Sequence, residues 1–180
     1  MEIKYYSGIG SRNAPSEILN EMFKLGSFLA NKNFILRSGA AEGSDEAFEK
    51  GCDSEYGLKE IYLPWKKFNG SNSHLYYENY SNFKEALKIT AKFHPCWNKL
   101  STSSKCLLGR NVYQVLGQDL QSLSSFVICY TDDKKTGGTK HTLRIAKSYN
   151  IPIFNFFGIQ KFKLEDDLKN FLKRCGGIEL

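Results

Sequence analysis

Short apolar runs alternate along this chain with stretches whose apolar positions recur at helical spacing. Residues 3–7 read as a strand. Pro15 then opens a stretch in which Ile18, Leu19, Met22, Phe23, Leu25, Phe28 and Leu29 share one helical face. Proline suits a first turn because its missing N–H would be unpaired there in any case. Residues 34–37 predict a second strand and 44–52 a helix, with Asp45 in its first turn, where the helix dipole favours negative charge. Residues 58–63 form a third strand that Pro64 stops. Further on, 83–92 and 101–119 read as helices, 125–131 as a strand, 139–149 as a helix, 151–156 as a strand and 164–174 as a closing helix. This alternation, with short apolar strands, is the pattern of a mainly parallel sheet covered by helices on both faces, an α/β three-layer sandwich.

The rhythm breaks between residues 65 and 120. Residues 65–80 are rich in Asn, Ser, Lys and aromatics, among them Tyr76, Tyr77 and Tyr80. A lid, an oligomer contact and a plain surface loop all fit that composition. With no internal repeat or low-complexity tract, the expectation is one domain over residues 1–180 carrying an insertion around 65–100.

Bulk composition narrows the class. The chain has 180 residues, 41% hydrophobic and 24% charged, ordinary values for a soluble domain with a sizeable core. No run approaches the roughly 20 apolar residues of a membrane span. The opening Met1-Glu2-Ile3-Lys4 leads directly into a strand, so no secretory leader is expected. Five cysteines without CxxC spacing argue against a disulfide framework or a zinc site and for a reducing, cytoplasmic setting; Cys129, inside an apolar run, reads as core. The net charge of +6 suits anionic partners, whether small phosphates or nucleic acid, although scattered lysines such as Lys66, Lys67 and Lys169 also fit a merely solvated surface.

The chemistry concentrates in three glycine turns at strand ends: Ser7-Gly8-Ile9-Gly10-Ser11-Arg12, Ser38-Gly39-Ala40-Ala41-Glu42-Gly43-Ser44-Asp45 and Thr136-Gly137-Gly138-Thr139. A glycine turn that opens a helix offers free N–H groups and the positive end of the helix dipole, together an anion site. If the first strand is central, right-handed crossovers put the other two turns on either side of it, in one crevice where the strand order reverses. Gly8, Gly10, Ser11 and Arg12 would then meet a phosphate. Ser38, Gly39, Ala40 and Ser44 would hold a second anionic or ribose group, and Thr136, Gly137, Gly138 and Thr139 a further phosphate. Arg110 is a candidate clamp, because a guanidinium grips phosphate in two places. Asp45 and Glu42 are candidates for acid/base work or for a ribose hydroxyl, though first-turn carboxylates also serve as caps. His94, Trp97 and His141 are further candidates for touching a base or phosphate, and each fits a packed structural role as well. No metal site and no cofactor motif is found.

Taken together, Gly8-Ile9-Gly10-Ser11-Arg12, the Ser38–Asp45 turn, Arg110-Asn111 and Thr136-Gly137-Gly138-Thr139, followed by Ile151-Pro152-Ile153-Phe154-Asn155, resemble the SLOG superfamily. This group of Rossmann-like proteins includes LOG-type nucleotide phosphoribohydrolases and the DprA DNA-processing proteins. The likeness covers roughly residues 5–155. The Ser-Gly-Ala turn is similar to that of the DprA branch, and the Gly-Gly-Thr turn to that of LOG enzymes. In LOG enzymes a catalytic glutamate follows the latter turn and an arginine precedes the strand before it. Arg110 matches the arginine, but Thr142, Leu143 and Arg144 stand where the glutamate belongs. The resemblance therefore implies binding of a phosphorylated nucleotide or nucleotide-sugar, an ADP-ribose-like or cyclic nucleotide signal, in order to sense or sequester it. Two alternatives stay open: cleavage of an N-glycosidic bond with Asp45 or Glu42 in the missing role, and DprA-like single-strand binding. Related proteins associate through helices beside the sheet, so the resemblance also implies a homo-oligomer.

Overall fold

The computed structural model describes residues 4–132 and 137–179, with side chains throughout except at residues 161, 162 and 176. The elements run β1 (Lys4–Gly10), α1 (Ser16–Asn31), β2 (Phe34–Ser38), α2 (Ser44–Ser54), β3 (Lys59–Ile61), α3 (Phe83–Phe93), α4 (Thr102–Leu116), β4 (Phe126–Tyr130), α5 (Gly138–Ser148), β5 (Ile153–Asn155) and α6 (Lys161–Gly176). The strands form one parallel sheet in the order β3-β2-β1-β4-β5. β1 is thus central. From it the chain crosses first to β2 and β3 on one side and later to β4 and β5 on the other, so the order reverses between β1 and β4.

Alternation along the strands builds a core on each face. On β4, Phe126 and Ile128 join Tyr6, Leu29, Leu36, Phe48, Phe154 and Phe171 beneath α1, α2 and α6. Val127 and Cys129 face the opposite way, against Val112, Tyr113, Leu116, Ile145 and Ala146 of α4 and α5. Each such side chain, withdrawn from water, stabilises the fold by about 2 kcal/mol. Because both faces are covered, the strands read as continuous apolar runs and not as alternating ones.

Local chemistry sets the ends of the elements. Pro15 is extended (φ −57°, ψ 146°) and its carbonyl accepts the N–H of Leu19, so α1 starts at Ser16. Ser101 caps α4, its hydroxyl accepting the Ser104 N–H at 3.2 Å. Gly117, at φ 77°, ends that helix at Leu116, three residues short of the sequence expectation, because its left-handed backbone turns the chain out. β1 runs to Gly10, past the boundary at residue 7 that the glycines suggest. Gly8 is a strand residue paired with Ile128, not part of a turn. It lacks a side chain because Phe48 and Leu36 fill the space a Cβ would need.

The segment between β3 and α3 folds back onto the molecule. Leu63 donates its N–H to the Leu75 carbonyl at 2.7 Å, and Phe68, Leu75 and Tyr80 are buried. Phe68 joins the core under α1, whereas Leu75 and Tyr80 join the core under α4. Tyr62, Tyr80 and Tyr113 pack ring against ring, with Tyr80 and Tyr113 4.3 Å apart. No helix among the described residues is long and apolar enough to cross a membrane.

Candidate functional site

A cleft of about 790 Å³ opens at the carboxyl ends of β1 and β4, where the strand order reverses. This is where open α/β sheets hold ligands. Its walls come from the loop after β1, the first turn of α2, the face of α4 carrying Leu107, Arg110, Asn111 and Gln114, and the start of α5. Of the residues singled out in the sequence, Gly10, Ser11, Arg12, Asp45, Arg110, Gly137, Gly138, Thr139, His94 and His141 line it. Thr136 lies outside the described residues.

The other candidates stand elsewhere. Ser38 donates its hydroxyl to the Gly8 carbonyl at 2.7 Å, and Ser44 donates to the Ser11 carbonyl at 2.9 Å, so both hydroxyls tie loops together from below. Gly39 lies beneath Arg110, where a Cβ would collide with the guanidinium and with Gln114 Nε2. Ala40 adopts a left-handed φ of 53° and its carbonyl accepts from Asn69 Nδ2. Glu42 is exposed and not part of the wall. Trp97 also stands outside it, with Lys105 Nζ 5.3 Å over its ring. Apart from Ala41 and Asp45, which line the cleft, the second glycine turn therefore supports it from beneath. Its side chains were needed for packing, a demand that spacing alone does not reveal.

Asp45 and Arg110 are the charged pair at the floor, 3% and 6% exposed. Asp45 accepts the Gly10 N–H at 3.2 Å and further backbone N–H groups from Gly39 and Ala41. Burial pushes its carboxyl up to about 6, against the opposing pull of Arg110 and those N–H groups. Arg110 donates through Nε to Asn111 Oδ1 at 2.6 Å and through Nη1 to the carbonyls of Tyr62, at 2.9 Å, and Gly39. Its guanidinium is thereby oriented by three separate segments, and burial holds its pKa below the ordinary value.

The α5 wall is built by short local bonds. Thr142 Oγ1 donates to the Gly138 carbonyl at 2.9 Å, and Asn111 Nδ2 approaches the same oxygen at 3.4 Å. His141 Nε2 lies 3.1 Å from the Thr90 carbonyl. A carbonyl only accepts, so Nε2 carries the proton and Nδ1 is an acceptor. That Nδ1 is buried and without a hydrogen-bond partner among the described residues. Burial is the main cause that keeps this imidazole below its ordinary pKa of 6.5. Arg144 adds a cation at the rim, donating to the Phe93 carbonyl at 3.2 Å. The His141 N–H makes the first bond of α5, to the Gly137 carbonyl at 3.2 Å, so the N–H groups of Gly138 and Thr139 precede that bond and offer donors to the cleft.

The sequence reading missed Gln114, Tyr130, Arg144 and Phe157, all of which line the cleft. Gln114 was within reach of it: Leu107, Arg110, Asn111 and Gln114 follow the i, i+3, i+4, i+7 spacing of one helical face. Phe157 gave no such signal, because its place depends on how the loop after β5 turns. Among the described residues no group of three His, Cys, Asp or Glu side chains is close enough to hold a metal ion.

A parallel five-stranded sheet with its cleft at this switch point defines a Rossmann-like α/β fold. It is shared with the Moco carrier protein of Chlamydomonas rheinhardtii (TM-score 0.52, 13% identity, covering 98% of this chain and 86% of that one). It is shared too with TM1055 (TM-score 0.55, 15% identity, 94% and 81% covered). DNA processing protein A of Helicobacter pylori, described by its single-stranded DNA binding mode, has it as well (TM-score 0.53, 19% identity, 94% and 73% covered). No protein-family model and no curated protein sequence matches the chain. The likeness is one of fold.

Proposed function

We propose that the cleft binds a phosphorylated nucleotide or nucleotide-sugar and serves to sense or sequester it. The observation that carries this reading is the meeting, at the strand-order switch point, of the first turn of α5 with Arg12 and Arg144 around one cleft. The N–H groups of Gly138 and Thr139, a helix dipole and guanidinium donors are the kinds of group that bind phosphate. A volume of about 790 Å³ accommodates a nucleotide-sized guest. Arg110 belongs to the floor in this reading, since its Nε and Nη1 already serve the protein. Calorimetry with AMP, ADP, ADP-ribose and a cyclic nucleotide tests it. At least one should bind at micromolar concentration, and Arg12→Ala should weaken that binding about tenfold or more. Absence of any binder at millimolar concentration overturns the reading.

A second reading, cleavage of an N-glycosidic bond, draws on one observation: a buried carboxyl that lines the cleft and is pushed up to about 6 suits a general acid. The three backbone N–H groups that Asp45 accepts favour a positioning role instead. Chromatography of the incubated nucleotides separates the two, because only cleavage releases free base, and Asp45→Asn would abolish that release.

A further inference from the structure

The cleft has an aromatic end that nothing above employs. Tyr130 closes β4 and Phe157 follows β5; their rings stand 5.8 Å apart at 70°, and both line the cleft. Phe157 is 37% exposed, although its neighbour Phe156 is buried at 2%. The ring is held out by a rigid frame. Asn155 Oδ1 accepts the N–H groups of Thr131, at 3.1 Å, and of Phe157, at 3.2 Å, while its Nδ2 donates to the Thr131 carbonyl at 3.0 Å. The Phe156 N–H is bound to the Cys129 carbonyl at 2.9 Å, anchoring the same turn in the sheet. On the other side, the Ser11 N–H donates to the Tyr130 carbonyl at 2.8 Å, which ties the aromatic end to the loop bearing Arg12. One amide side chain thus ties Thr131, after β4, to Phe157, after β5, with an aromatic ring facing a cleft whose other walls carry Arg12, Arg144 and polar side chains beside Leu100, Leu107 and Leu108.

We infer that Phe157, backed by Tyr130, is a stacking platform for the nucleobase, so that the ligand lies with its base on this ring and its phosphate toward Arg12 and the start of α5. This rests on the nucleotide reading above. It also adds a discrimination: the site recognises a planar base joined to a phosphate, not a sugar phosphate alone. A ring held at fixed orientation is suited to this, because stacking on it costs little further ordering of the protein.

The test compares AMP with ribose 5-phosphate by calorimetry, on the wild type and on Phe157→Ala and Phe157→Trp. Wild type should bind AMP about tenfold or more tighter than ribose 5-phosphate. Phe157→Ala should remove that difference while leaving ribose 5-phosphate affinity unchanged. Phe157→Trp should keep the preference, and its added fluorescence should be quenched by AMP but not by ribose 5-phosphate. If wild type binds both equally, the platform is overturned while the phosphate reading stands. A Phe157→Ala variant that loses affinity for both in proportion assigns the ring a structural role and also overturns it. If neither compound binds the wild type, the platform is overturned, while the nucleotide reading falls only if ADP, ADP-ribose and the cyclic nucleotide fail to bind as well.

Discussion

Asp45 is pulled in two directions, and the balance sets how the fold responds to pH. Burial favours its protonated form, whereas Arg110 and the N–H groups of Ala41, Gly10 and Gly39 favour the carboxylate; burial wins, lifting the group from 3.8 to about 6. A carboxyl held above its unfolded value binds its proton more tightly in the native state. Its contribution is therefore fully present below about 3.8 and is lost as pH rises through about 6. An asparagine there cannot titrate. The stability of wild type relative to Asp45→Asn should fall by about 2 kcal/mol between roughly pH 4.5 and pH 7.5, read as the difference of urea unfolding free energies. A difference that stays constant across that range would mean an ordinary carboxyl. His141 works in the opposite sense: its folded pKa is depressed, so the unfolded chain takes up the proton first, and stability is lost as pH falls below about 6.5. The Asp45→Asn comparison cancels that contribution, because both proteins carry the histidine.

Among the elements, α4 forms one wall of the cleft, since Leu107, Arg110, Asn111 and Gln114 all line it from this helix. Its start depends on the hydroxyl of Ser101, which accepts the Ser104 N–H. Ser101→Ala leaves that donor to water and should lower stability by about 1 kcal/mol, seen as a drop of a few degrees in Tm by calorimetry; Ser101→Asp, which restores an acceptor, should recover it. Helix α4 was visible in the sequence because its apolar positions keep a steady period, and so was α1 behind Pro15. The misjudged boundaries share a cause. β1 continues through Gly8 and Gly10 because the sheet supplies partners on β4, and α4 stops at Gly117 because that backbone is left-handed. Neither a strand partner nor a dihedral angle is written in local spacing.

At the scale of the whole molecule, a central first strand taken as a condition, together with right-handed crossovers, was enough to anticipate the position of the cleft, and β1 is central. The division of the turns into wall and foundation was not anticipated, since it depends on Phe48 and Arg110 arriving from distant elements. The segment after β3 illustrates the same limit and bears on nucleic-acid binding. Its aromatics suggested a stacking surface, yet Phe68 and Tyr80 are buried, and Trp65 stands edge-on to Phe68 at 5.3 Å. Rings committed to the core cannot stack on successive bases. What remains for a single strand is the exposed Trp65, the half-buried Tyr76 and Tyr77, and the net charge of +6, carried partly by exposed lysines such as Lys66 and Lys67. Binding by charge alone releases counterions, so its strength falls steeply as salt is raised. A guest gripped in the cleft by oriented amides and a fixed ring has fewer such contacts to lose. Fluorescence anisotropy with labelled oligo(dT) and with labelled AMP, at about 50 and 200 mM salt, should show the oligonucleotide losing most of its affinity while the mononucleotide loses only a few-fold. Equal salt slopes for the two, or oligo(dT) binding that persists at the higher salt, would instead place a built single-strand site on this fold.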